Sequence, residues 1–97
     1  MSNDRTEITL EVGEKEFEFV VDPAVISKYI NSLTQTNKIA PANNLLMNTI
    51  VQKQRAELKD LLGSNPLTTL QIAGALVEEY SPTIEISVKK RSATLNA

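Results

Sequence analysis

The side chains that most often do chemistry are sparse in this chain. Neither histidine nor cysteine occurs in its 97 residues. That removes the commonest general base, the commonest transition-metal ligand and any disulfide framework. A serine-based triad would lack its usual base. What remains is carboxylate: Glu7, Glu11, Glu16 and Glu18 near the N-terminus, and Glu78-Glu79 further on. Paired carboxylates can share acid–base work when their environments push them apart. Here the first four alternate with apolar residues, which predicts the wet face of a sheet. The second pair falls in the last turns of a predicted helix. Gly13, Gly63 and Gly74 are too widely separated to form a phosphate-cradling loop. These residues describe no enzyme, cofactor site or metal site.

Charge narrows the classes further. The formal net charge of −2 supplies no electrostatic footprint for nucleic acid or for an acidic membrane. "NSLTQTNK" and "KQR" could touch phosphates, but counterion release needs a basic face, so no nucleic acid is expected. Lys89, Lys90 and Arg91 form the one dense basic cluster, and it reads first as part of a solvated tail. The opening "MSNDRTEITL" has no apolar signal region, and no apolar run reaches membrane-spanning length. A cytoplasmic protein with no membrane partner is the expectation.

The elements that would position these side chains can be read from periodicity. In "TEITLEVGEKEFEFVVD", Ile8, Leu10 and Val12 share one phase, and Phe17, Phe19 and Val21 resume it after a break at Gly13-Glu14-Lys15. A β-hairpin with one buried face follows. Asp22-Pro23 opens a predicted helix over residues 23–33, because Asp caps free N–H groups and Pro at the first helical position loses no bond. Its apolar face would carry Val25, Ile26, Tyr29, Ile30 and Leu33. Helical spacing returns from about Pro41 and runs to Leu62, as one long helix or two joined near residues 52–55. Pro41 should bias Ala40 away from helical geometry. Gly63 is placed to end that stretch in the left-handed conformation. Asn65-Pro66 repeats the capping signal and opens a helix to about Tyr80, stopped by Ser81-Pro82. Residues 83–88 alternate again through Ile84, Ile86 and Val88, which suits a third strand on the hairpin. The fold class is α+β: an N-terminal hairpin, joined or not by a C-terminal strand, packed on three to four helices. Residues 1–90 read as one domain and 91–97 as a flexible tail.

Two apolar helical faces exceed what simple core packing asks for. On "LTTLQIAGALVEEY", Leu70, Ala73, Gly74, Leu76, Val77 and Tyr80 fill roughly half a turn at about 100° per residue. Mid-helix Gly74 costs about 1 kcal/mol against Ala, which suggests close approach of another backbone. On "APANNLLMNTIV", Leu46, Met47, Ile50 and Val51 form a second face rimmed by Asn43, Asn44 and Asn48. Candidate partner-binding residues are therefore Leu46, Met47, Ile50, Leu70, Ala73, Gly74, Val77 and Tyr80. Plain core is the competing account of the same residues.

At this point the sequence resembles the small tail assembly chaperones of tailed bacteriophages and prophages. The resemblance rests on "YIN" at residues 29–31, "NKIAPANNLLM" at 37–47, "LQIAG" at 70–74 and "EISVKK" at 85–90. It implies a non-enzymatic role in the bacterial cytoplasm: binding the tape-measure protein while the tail tube polymerises. It also implies a longer frameshifted form of the same chain as a partner, since Lys89-Lys90 can be written in slippery codons. Self-association into a homo-oligomer is left open. "RSATLNA" at the C-terminus lies outside the resemblance. The rival readings are a small helical adaptor or nucleic-acid-associated accessory protein, and a globular subunit whose apolar helices are all internal.

Overall fold

The computed structural model describes residues 5–81 and 87–89. The hairpin forms where the alternation placed it, as β1 (Thr6–Val12) and β2 (Lys15–Val21). Its register sets Ile8 opposite Phe19 and Leu10 opposite Phe17, so both apolar phases share one face. Gly13 takes a φ of 66° in the two-residue turn, a left-handed conformation that glycine adopts without a Cβ clash. Phe17, Phe19 and Val21 are fully buried, while Glu7, Glu11, Glu16 and Glu18 are exposed on the opposite face.

Four helices follow: α1 (Pro23–Ser32), α2 (Ile39–Thr49), α3 (Arg55–Ser64) and α4 (Pro66–Tyr80). Asp22 caps α1, accepting the Val25 N–H at 2.9 Å, and Asn65 caps α4, accepting the Leu67 N–H at 2.9 Å. α2 is the hub, packing on α1, α3, α4 and β2, while α4 also meets α3 and β1. The core gathers Ile8, Phe17 and Phe19 from the sheet with Leu45, Leu46, Leu58, Ile72 and Leu76 from the helices. Each such aliphatic or aromatic burial is worth about 1.5–3 kcal/mol.

The stretch between Asn37 and Leu62 departs from the expected outline in three places. Ala40 is helical, and α2 begins ahead of Pro41 at Ile39. Pro41 sits in the first turn, where its missing N–H would have had no helical partner, and its ring is buried. Second, residues 50–54 form neither helix continuation nor simple bend. Ile50 turns extended and bridges Phe19, Val51 donates its N–H to the Glu18 carbonyl at 3.0 Å, and a 3₁₀ turn spans Gln52–Gln54. The Gln54 side chain accepts the Glu18 N–H at 2.8 Å and donates to the Glu16 carbonyl at 2.7 Å. Arg55 then donates to the Met47 carbonyl, satisfying one of the last free acceptors of α2 with a cation at the helix's negative end.

Third, Gly63 lies inside α3, and its φ is not left-handed. Asn65, extended at φ −162°, ends α3 and caps α4 at once, so no separate reversing residue is needed. The expected pairing of residues 83–88 with the hairpin falls largely outside the described residues. Ser87, Val88 and Lys89 are described, and they are exposed and in no strand.

Candidate partner-binding surface

α2 and α4 cross at the centre of the fold, and this divides the residues the sequence grouped together. Leu46 and Ala73 have no exposure, and Ile50 is buried beside Phe19. These three belong to the domain's own core, because a fully packed side chain is already satisfied and cannot be reached without opening the fold. Met47, Leu70, Val77 and Tyr80 are half-buried, packed against the core at its margin. Gly74 is exposed.

The reason is a rotation of α4 relative to its apolar arc. Thr69, Ile72, Ala73 and Leu76 face inward, which turns Leu67, Leu70, Gly74 and Val77 toward solvent and the core margin. Those four follow at spacings of three, four and three, one line along a helix surface. Leu67 is 61% exposed. A methyl group built at Gly74 would meet no described residue within 4 Å, so the expected close approach of another backbone does not occur among the described residues. The glycine instead leaves a flat step in an apolar ridge.

A second apolar surface lies on α1 and the loop that follows. α1 buries none of its residues; Val25, Ile26 and Tyr29 lean on the core while Ile30 is 56% exposed. Leu33 and Ile39, on either side of residues 34–38, are also exposed. Two hydrogen bonds fold that loop back on itself: Thr34 donates its N–H to the Asn37 carbonyl at 3.3 Å, and Asn37 donates its N–H to Thr34 Oγ1 at 2.8 Å. Sequence reasoning placed Ile30 and Leu33 on the apolar face of α1 with Val25, Ile26 and Tyr29, and left Ile39 unassigned. The available signal was width: four large apolar residues on a helix of ten, with Leu33 just past its end, span more arc than one neighbouring helix can cover.

Between these surfaces runs "NKIAPANNLLM". Its buried half, Pro41, Ala42, Leu45 and Leu46, anchors α2, while Asn44, and Asn48 just past the stretch, project outward. Both asparagines line the groove against α1 with Val25 and Tyr29, and also the groove against α3 with Met47 and Arg55. Amide side chains beside apolar margins give a partner hydrogen-bonding points for orientation without fixed charge. Lys28 borders the first groove, and Arg55 and Lys59 border the second. Lys15 at the hairpin turn pairs with Glu57 of α3, and the four strand glutamates occupy the far face of the sheet. Among the described residues no group of three or more potential ligands is placed to hold a metal ion, and no helix is long and apolar enough to cross a membrane.

A family described as phage tail assembly chaperone matches residues 8–90, from the first core residue of β1 to the second lysine of the basic cluster. The chain belongs to that family. A relative from Haemophilus phage HP1, an uncharacterised 11.3 kDa protein in the lys 3′ region, is 28% identical over 87 residues, covering 90% of this chain and 84% of the relative. The fold is shared with a solved structure, uncharacterised protein rbstp2171 from Bacillus stearothermophilus, at a TM-score of 0.64 and 27% identity. That match covers 90% of this chain and 91% of the other.

Proposed function

We propose that this tail assembly chaperone acts without catalysis, in the bacterial cytoplasm, by holding apolar helical stretches of the tape-measure protein until the tail tube encloses them. The observation that carries the reading is the apolar surface left outside the core in a family with an assembly role: the Leu67–Leu70–Gly74–Val77 ridge and the Ile30, Leu33, Ile39 patch. A helical client lays its apolar stripe along such ridges, and two or three anchors at about 1.5–3 kcal/mol each suffice for micromolar binding. The asparagines of α2 supply polar contacts beside them. The glutamate face of the sheet opposes the nucleic-acid reading, since it would repel a phosphate backbone. A longer frameshifted form of the chain would carry the same two surfaces.

The test is co-expression with the tape-measure protein encoded nearby. The chaperone should raise the client's soluble yield and co-purify with it, and Leu67→Asp with Ile30→Asp should abolish both effects while leaving the chaperone folded. Unchanged client solubility with the doubly substituted, folded chaperone would remove these surfaces from the mechanism.

A further inference from the structure

The two edges of the hairpin are not equivalent. Val12 and Lys15 flank a two-residue turn, so they exchange hydrogen bonds, and the residues in phase with Val12 point their backbone groups at β2. Glu7, Thr9 and Glu11 therefore direct N–H and C=O outward from β1, as Glu16, Glu18 and Val20 do from β2. On the β2 side the Glu16 carbonyl and both Glu18 groups are taken up by Val51 and the Gln54 amide. On the β1 side no described residue bonds to them, and the core-face residues beside that edge, Leu10 and Val12, are only half-buried. An edge that the described residues leave open, beside an incompletely covered apolar row, is a template for one more strand.

The exposed face along this edge specifies what that strand carries. Glu7, Glu11, Glu16 and Glu18 share it, and Glu11 stands directly opposite Glu16, with no cation interleaved. A second β1 strand centred on Thr9 would set Glu7 of one copy against Glu11 of the other, so that register of β1–β1 pairing is opposed by charge. The required strand has an apolar phase for the core side and a basic phase for the glutamate side. One stretch of this chain reads that way. Ile84, Ile86 and Val88 form the apolar phase, which Lys90 ends, and Lys89 and Arg91 fall in the other. With Lys89 set beside Thr9, Glu85 lies four residues along, beyond Glu7 and Glu11.

In its own chain the described part of this stretch is unsatisfied. Val88 is 81% exposed, Ser87 to Lys89 lie in no strand, and Lys89 forms no ion pair with a described residue. We propose that the outer edge of β1 receives the C-terminal stretch, residues 83–91, of a second copy of this chain. Reciprocal exchange closes a two-fold dimer in which each sheet gains a strand and each glutamate face gains cations.

Charge exchange tests this directly. Light scattering of the wild-type chain across a concentration series should show dimer giving way to monomer on dilution, with salt weakening the dimer. Glu7→Lys with Glu11→Lys should leave a monomer, because its basic edge repels a basic tail. Lys89→Glu with Arg91→Glu should do the same through an acidic edge and an acidic tail. Mixing the two variants should restore the dimer, since each edge then meets a tail of opposite sign. A wild type that stays monomeric throughout, a dimer that persists in both variants alone, or a mixture that remains monomeric would each overturn the proposal. A wild-type monomer destabilised by removing residues 82–97 would also overturn it, placing the stretch on its own chain.

Discussion

Helices α1 and α4 both open with an Asx-Pro pair whose side-chain oxygen accepts a backbone N–H at 2.9 Å. Each carries apolar residues at helical spacing. Yet α4 buries four residues against α2, α3 and β1, while α1 buries none and leans mainly on α2. The cap and the apolar stripe specify that a helix forms and which face is greasy. How much of that face is consumed depends on the number of neighbours that reach it. The difference leaves α1 with a patch to offer and α4 with only a ridge.

The contrast breaks most visibly at the centre. Leu76→Ala removes a fully buried side chain of α4 and should destabilise the domain by about 2–5 kcal/mol in urea unfolding. Tyr29→Ala on α1 should cost clearly less; equal losses would mean that α1 is integral to the same core. The caps sharpen the comparison at the next level. Asn65→Ala and Asp22→Ala should each cost about 1 kcal/mol of helix stability. The first should appear in the global melt. The second should appear mainly as faster amide exchange within α1, because a peripheral helix frays locally.

Gly74 separates ridge from core with a change of sign. No described residue within 4 Å opposes an added methyl group, so Gly74→Ala should stabilise the free protein by about 0.5–1 kcal/mol. A loss of stability would show that another backbone does approach there. The smallest expected effect on stability is at the exposed surface. Ile30→Asp and Leu67→Asp should each stay within about 0.5 kcal/mol of the parent, and client solubilisation should be where they are felt.

Much of the fold was legible because its causes are local. Period-two alternation and Gly13 placed the hairpin, and the two Asx-Pro signals placed α1 and α4 to within a residue at most of their ends. The stretch from Asn37 to Leu62 was less legible because its shape depends on β2. α2 stops at Thr49 because Ile50 and Gln54 bond to residues more than thirty positions earlier, and no pattern around Ile50 announces that. The candidate site shows the same limit. Leu46, Ile50 and Ala73 carry the same apolar signature as Leu67 and Ile30, so composition and spacing could not tell anchors of the core from anchors for a partner.

From sequence alone, this protein is an acidic α+β chain without histidine or cysteine, bearing more apolar helical face than a small core needs. Those properties follow from residue types and short-range periodicity, which any reading of the chain preserves. The tertiary structure alone decided which face each helix turned inward, which sheet edge Gln54 and Val51 occupied, and where Gly74 came to rest. Those outcomes depend on contacts between residues distant in sequence, and rotation of an amphipathic helix by a fraction of a turn exchanges a core leucine for an exposed one. The surface available to a client is therefore a remainder, set by what packing left uncovered.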